Sequence, residues 1–154
     1  MTTAEPSPPE IQQPDTSATR CVELSLPAEP ELLFLARMTA AAVASRAEFG
    51  FDQIEDLRLA IDELCITLAG EDGTEGRVHL VFEWEGDLLE VTAKLVAEHD
   101  HLTAAPPTGT DWPDADVNEL SGRILDALVD EHGTDNVGGS PRAWFRVRRQ
   151  PRDP

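Results

Sequence analysis

Two side chains that could take part in chemistry, Glu63 and Thr67, stand four positions apart in the segment from residue 51 to 71. Residues four apart are neighbours on a helix surface, so this spacing predicts that the Glu63 carboxylate and the Thr67 hydroxyl project side by side. A carboxylate accepts hydrogen bonds or a proton, and a hydroxyl both donates and accepts hydrogen bonds. Any chemistry of this chain is therefore expected at this pair. The alternative for Glu63 is a solvated carboxylate on an exposed helix face.

The segment that carries this pair has the periodicity of an amphipathic helix. Its apolar residues recur at steps of three and four, which places them on one buried face. They are Ile54, Leu57, Ile61, Leu64, Cys65 and Leu68. Asp52 stands where an N-cap residue is favoured, and Glu55 three positions later completes a capping box. The glycine-rich stretch at 70–76 predicts the loop that ends the helix.

The elements that must position this helix are predicted from alternation, helical periodicity and turn residues. Their predicted order is a strand at 21–26, a helix from Pro30 to about Glu48, the helix at 51–71, a hairpin of strands at 77–85 and 88–97 that turns at Gly86-Asp87, a helix from about Asn118 to His132, and a strand at 142–149. This order predicts an α+β fold, a two-layer α/β sandwich with the helices on one face of a mainly antiparallel sheet.

Composition divides the chain into one domain and two tails. Residues 1–19 are rich in Pro, Ser, Thr, Glu and Gln and offer little apolar surface, so a disordered N-terminal tail is predicted. Residues 20–150 form the predicted domain, and residues 151–154 form a short C-terminal tail. A chain of 154 residues is long enough for one core and too short for two ordinary domains.

The net charge of −18 argues against nucleic acid as a partner. Binding to phosphates needs clustered Lys and Arg, whereas Lys94 is the single lysine here, so direct DNA or RNA binding is not expected. The last stretch of the chain gathers several arginines, namely Arg142, Arg146, Arg148, Arg149 and Arg152. The predicted charge pattern is a small basic edge on an acidic body.

Cysteine usage and hydropathy predict a soluble protein of the cytoplasm. Cys21 and Cys65 are too few for a disulfide framework or a metal set, so free thiols are expected. No targeting pattern and no apolar stretch near twenty residues is found, so no membrane segment is expected. His99 and His101 are metal-ligand types, but the sequence places no third ligand nearby, and no metal site is predicted.

The segment D-L-R-L-A-I-D-E-L-C-I-T-L at 56–68 resembles the motif helix of the RsbW-type anti-sigma-factor serine kinases, in particular their actinobacterial branch. This family belongs to the gyrase, chaperone and histidine-kinase ATPase superfamily, and the resemblance implies the histidine-kinase-like ATPase fold. The family helix reads roughly L-A-V-x-E-A-C-x-N-A, in which the Glu is the general base and the Asn holds the magnesium of ATP. Glu63 matches the Glu, and Thr67 stands where the Asn belongs.

The same resemblance implies two further nucleotide contacts, and this chain departs from both. The family strand after the hairpin ends in D-x-G-x-G, whose Asp contacts the adenine. The Asp position falls on Leu95 and the first Gly on Ala97. Leu95 cannot accept a hydrogen bond from adenine. Ser121-Gly122-Arg123 stands near the phosphate-wrapping glycines without a Gly-x-Gly pattern. The sequence thus favours an ATPase fold that has lost most of its ATP chemistry and works without a cofactor.

The function implied by the resemblance is that of an anti-sigma factor, which sequesters an alternative, stress-type sigma factor and is released by an anti-anti-sigma factor. A homodimer is also implied. Arg37, in the F-x-x-R-x-T context of residues 34–39, matches a family arginine that contacts both partners. The alternative for Arg37 is a charged residue that snorkels from an apolar helix. Two other functions stay open, an active kinase that uses Mg-ATP and Glu63, and a binding module unrelated to transcription.

Overall fold

A computed structural model of the chain describes residues 18–70, 72–97 and 115–151, with side chains from residue 118 onward in the last range. Five strands and three helices make up the described part, with one 3-10 turn at Pro30–Leu32. They are β1 (Arg20–Pro27), α1 (Leu33–Arg46), α2 (Phe51–Ala69), β2 (Arg77–Glu85), β3 (Leu88–Val96), α3 (Ala115–Leu128), β4 (Glu131–Val137) and β5 (Ser140–Arg148).

The five strands form one sheet in the order β1-β2-β3-β5-β4, and all of the neighbouring strands are antiparallel. The register brings Phe82 opposite Val91 and Val91 opposite Phe145, so the centre of one sheet face is a continuous apolar surface. The three helices lie on this face. The α+β two-layer sandwich predicted from the sequence is confirmed.

The core lies between the inner sheet face and the helices. Strands contribute alternate residues to it because successive side chains point to opposite faces. These are Val78, Leu80 and Phe82, then Leu89, Val91 and Ala93, then Ala143, Phe145 and Val147. Helix α2 contributes Leu57, Ile61, Leu64, Cys65 and Leu68, and α1 contributes mainly alanines. The predicted buried face of α2 is confirmed.

The end of the third helix was predicted wrongly. Helix α3 ends at Leu128 rather than near His132, and His132 lies in strand β4, which the sequence analysis omitted. Strand β4 reaches β5 through a tight turn in which Gly138 and Gly139 have φ of +62° and +84°, conformations that glycine adopts without strain. A Gly-Gly pair before an alternating strand is a hairpin signal, and it was the clue to β4.

Helix α2 begins at Phe51 and ends before Gly70 as predicted, but the caps of the first two helices differ in detail. Gly50, not Asp52, is the N-cap of α2, and Glu55 bonds Arg58 instead of completing a capping box. Helix α1 ends at Arg46, close to the predicted end at about Glu48. Arg149 from the end of β5 donates hydrogen bonds of 3.1 Å to both the Ala47 carbonyl and the Glu48 carboxylate, so a tertiary contact covers this helix end.

Some predictions fall on residues that the structure does not describe. These are the N-terminal tail up to residue 17, the pair His99 and His101, and the last residues 152–154. Within the described ranges, no helix combines the length and the hydropathy needed to span a membrane.

Candidate functional site

Glu63 lies on α2 beside the buried face, and its carboxylate is bound by the facing helix. Ser121 of α3 is only 2% exposed, and its hydroxyl donates a 2.7 Å hydrogen bond to Oε2 of Glu63. A hydrogen bond to an ionised acceptor is stronger than one between neutral groups, so this contact ties α3 to α2. Glu63 is therefore a bound carboxylate within the fold rather than a fully solvated one.

Thr67 meets Glu63 through the backbone rather than through the carboxylate. Its hydroxyl donates a 2.8 Å hydrogen bond to the Glu63 carbonyl oxygen one turn earlier, and its side chain is 5% exposed. Threonine in a helix often bonds the carbonyl four residues back in this way. The two residues are neighbours, as predicted, but the Thr67 proton is already committed to the helix.

A cavity of about 310 Å³ adjoins Thr67 between α2, α3 and the β4-β5 end of the sheet. Small and apolar residues make up much of its wall, together with two threonines, an asparagine and a histidine. The lining consists of Leu64, Thr67, Asn118, Gly122, Leu125, His132, Gly133, Thr134 and Ala143. Strand β4 supplies three of these, so the strand that the sequence analysis missed forms one wall of the site.

Leu95 and Ala97 lie elsewhere. Leu95 is on β3 opposite Val78 and packs, partly buried, against the core, while Ala97 follows the end of β3 and is exposed. Neither is among the described residues that line the cavity beside Thr67. The structure thus brings Glu63 and Thr67 together with Ser121, and it leaves Leu95 and Ala97 outside this group. Their assignment to the adenine site stays a prediction.

Arg37 lies on α1 among exposed apolar residues. Its Nη1 atom is 3.3 Å from Oδ2 of Asp62 on α2, with the two side chains 41% and 29% exposed. Phe34, Leu35 and Met38 on the same helix are exposed as well. The Arg37 surface, defined here as these three apolar residues with Arg37, combines exposed apolar side chains with an arginine, as many surfaces that bind protein partners do.

Asp62 connects this surface to the candidate base, because it precedes Glu63 and faces Arg37. Burial raises the pKa of the Asp62 carboxyl most strongly, Arg37 opposes the rise, and the neighbouring charge of Glu63 adds to it. The net result is a pKa above the ordinary value. Asp62 could not be selected from the sequence, because the burial that raises its pKa arises only from tertiary packing.

Because its pKa is raised in the folded state, the contribution of Asp62 to the free energy of unfolding depends on pH. The folded state then binds the proton more tightly than the unfolded state, so stability from this group is present at low pH and is lost as the pH rises through the folded pKa. We expect Asp62→Asn to be slightly more stable than the parent chain at pH 7. The melting temperatures of the variant and the parent chain should converge at pH values below about 4, the pKa of aspartate in the unfolded chain. A variant that is less stable at pH 7 contradicts this expectation.

Ser121 is the site residue that the sequence analysis noted only as a departure from a glycine pattern. Ser121→Ala is expected to lower the free energy of unfolding by about 1–2 kcal/mol, because a buried hydrogen bond to a charged group is lost. A cycle of Ser121→Ala, Glu63→Ala and the double variant, followed by urea unfolding, should give a coupling of roughly 1 kcal/mol. Additive effects of the two substitutions would show that this hydrogen bond does not contribute to stability.

The four arginines of the predicted basic edge that the structure describes are paired with carboxylates. Arg142 binds Asp135, and Arg146 binds both Glu90 and Glu131 while it lies 5.0 Å from the Trp144 ring centre. Arg148 and Arg149 contact Asp87 and Glu48. These pairs offset the positive charge locally, so the edge does not resemble the open basic surface that binds phosphates.

The two cysteines are free, as predicted. Burial raises the pKa of the Cys65 thiol to about 12, and the Asp62 charge contributes to the rise. The thiolate is the reactive form of cysteine, so Cys65 is unreactive at neutral pH and serves the core.

Comparison with known proteins gives a consistent set of relatives, although no family model matches the sequence. Serine-protein kinase RsbW from Bacillus subtilis (strain 168) is 31% identical over 130 residues, which cover 77% of this chain and 79% of the relative. The proteins of the same name from Bacillus pumilus and Bacillus velezensis are 36% and 40% identical over 75 and 73 residues. These two alignments span about half of the relatives' length, 46% in each case.

Proposed function

This chain belongs to the family of the RsbW serine-protein kinases, and we propose that it acts as an anti-sigma factor that sequesters an alternative, stress-type sigma factor. The observation that carries the proposal is the similarity to the Bacillus subtilis protein along 130 residues, which extends well beyond the motif helix. The proposal includes a homodimer in the cytoplasm and release by an anti-anti-sigma factor that competes for an overlapping surface. It also includes membership of the actinobacterial branch of the family.

The Arg37 surface supports a protein partner. Met38 is 59% exposed, and Leu35 and Met38 also border a groove of about 410 Å³ between α1 and the β1-β2 edge. Aromatic residues, methionine and arginine are enriched at protein interfaces, and Phe34, Arg37 and Met38 are of these types.

The second candidate function is the one in the relatives' name, serine-protein kinase activity, and the retained Glu63 favours it. The residues near Glu63 fit Mg-ATP poorly. Mg²⁺ requires near-octahedral oxygen ligands, usually from carboxylates, and Thr67 offers one neutral oxygen whose proton is already donated. The Glu63 carboxylate accepts the Ser121 hydrogen bond. These contacts support a binding function without phosphoryl transfer.

Two measurements test the proposal. The full chain should copurify with an alternative sigma factor, and capture of an unrelated protein class instead would favour a binding module outside transcription. Millimolar Mg-ATP or Mg-ADP should give little thermal shift, whereas binding at a hundredfold excess over Kd would add about 2.7 kcal/mol. A clear shift that Glu63→Ala abolishes, together with phosphate transfer to a serine of the antagonist, would establish the kinase.

Because three departures from the family pattern accumulate, one substitution should not restore the kinase. Thr67→Asn is expected to leave phosphorylation of the antagonist undetectable, since an asparagine at 67 restores neither the adenine contact at Leu95 nor a glycine at Ala97, and a reacting group must be held in place by all its contacts. Recovery of phosphate transfer in Thr67→Asn would show that the adenine position is not at Leu95.

A further inference from the structure

The corner between α1 and α2, residues 47–50, contains the one left-handed backbone conformation outside glycine in the described part of the chain. Glu48 has a φ of +62°. In this region the Cβ of an L-residue comes close to the following carbonyl oxygen, so a residue other than glycine is strained there. Such a conformation persists only where the surrounding contacts enforce it. The contacts of this corner therefore decide whether it keeps its shape.

Apolar packing holds the C-terminal half of α1 less firmly than it holds the sheet. The buried side chains of this half are small, namely Ala40, Val43 and Ala44. In the corner itself, Phe49 is the large apolar side chain that is buried, whereas the sheet buries a series of large side chains around Phe82. Stabilisation from burial grows with apolar area, so small side chains contribute little. Polar contacts thus have a larger share in holding the corner than in holding the sheet.

Arg149, directly after β5, supplies polar contacts to the corner. Its Nη1 atom donates to the Ala47 carbonyl oxygen and to Oε2 of Glu48, both at 3.1 Å. The carbonyls of the last turn of a helix lack intrahelical partners, and a cation at this end opposes the negative pole of the helix dipole. The backbone N–H of Arg149 donates to the Asp87 carbonyl oxygen at 2.7 Å. Arg149 therefore ties the strained corner to the β2-β3 turn of the sheet.

Gln53, in the first turn of α2, binds the same segment of chain. Its side-chain amide donates to the Arg148 carbonyl oxygen at 2.9 Å and accepts from the Gln150 N–H at 3.0 Å. Because one planar amide makes both bonds, it holds the backbone on either side of Arg149 in a fixed position. Residues 148–150, called the C-terminal strap below, are thus bound by both helices that meet at the corner.

We propose that the C-terminal strap is a latch on the α1–α2 corner, and that opening of the latch releases the corner and the C-terminal half of α1 while the sheet stays folded. Segments with few buried apolar contacts open in this way as separate units. Arg37 on α1 and Asp62 on α2 face each other across the same two helices, so the latch also determines how rigidly α1 holds the Arg37 surface. The inference concerns the chain alone, and it holds or fails independently of sigma-factor binding.

Hydrogen exchange of the full chain, followed by amide NMR, tests the latch. The amides of Ala47 and Phe49 donate hydrogen bonds to α1 carbonyls, so their exchange reports on opening of the corner. Arg149→Ala should accelerate this exchange by roughly tenfold or more, and the sheet amides of Phe82 and Val91 by less than about twofold. A general loss of stability would accelerate both groups alike. Equal acceleration, or none at the corner, would overturn the inference.

The neighbouring arginine provides a matched control. Arg148 is also in the strap, but its side chain is 63% exposed and pairs with Asp87 instead of the corner. Arg148→Ala should keep corner exchange within about twofold of the parent rate. Gln53→Met retains a long side chain on α2 without the two bonds to the strap, so it should accelerate corner exchange. A rise in Arg148→Ala as large as in Arg149→Ala, or the parent rate in Gln53→Met, would contradict the latch.

Discussion

Replacing Phe82 by alanine is expected to lower the free energy of unfolding by about 3–5 kcal/mol, as for other phenylalanines removed from a core. Phe82 is fully buried at the centre of the sheet, where it pairs with Val22 and Val91 on the neighbouring strands. A cavity at this position cannot be refilled without moving the strands or α2. Urea unfolding measures the loss, which is a large fraction of the roughly 5–15 kcal/mol that stabilises an ordinary domain.

The adjacent residue Val81 is the control for this substitution. It lies on the same strand but on the opposite, helix-free face, where it is half-buried. Val81→Ala should lower the free energy of unfolding by no more than about 1 kcal/mol, since truncating a side chain that retains solvent contact removes less buried surface. Similar losses for Phe82→Ala and Val81→Ala would mean that the helices do not cover the face assigned to them.

Replacing Arg37 by alanine is expected to weaken binding of the sigma factor by about 1–3 kcal/mol, roughly a 5- to 150-fold rise in Kd. The physical reason is the loss of an arginine from the Arg37 surface, since arginine is enriched among the residues that dominate binding energy. Stability should change little, because exposed ion pairs such as Arg37 with Asp62 contribute about 0–1 kcal/mol. Calorimetry with the copurified sigma factor measures the affinity, and a thermal melt measures the stability.

Two variants separate a binding role of Arg37 from its ion pair. Arg58 on α2 has the same 41% side-chain exposure and also forms an ion pair, with Glu55, so Arg58→Ala removes comparable charge away from α1. Asp62→Asn removes the partner of Arg37 but retains the guanidinium. Both should bind the sigma factor with nearly the parent affinity. An unchanged Kd for Arg37→Ala would remove this residue from the binding surface.

The amino-acid sequence alone determined the architecture of this protein. Alternation in 77–85 and 88–97 and the helical period of 51–68 specify which faces are buried, because both patterns depend only on local backbone geometry. The same patterns brought Glu63 and Thr67 into one helical turn and left Arg37 on an otherwise apolar helix. These predictions needed no knowledge of which elements pack together.

Only the tertiary structure determined the edge strand β4 and the hydrogen-bond partners of the site residues. Strand β4 has glycine and polar residues where a strand pattern would need apolar ones, and it exists because β5 supplies its hydrogen bonds. Gly133 within it is covered by the Trp144 ring, whose Cζ2 would lie 2.9 Å from a Cβ. Ser121 reaches Glu63 across 58 positions, and Asp62 reaches Arg37 across 25. Local sequence cannot encode such contacts, because they depend on how separate helices pack on a shared sheet.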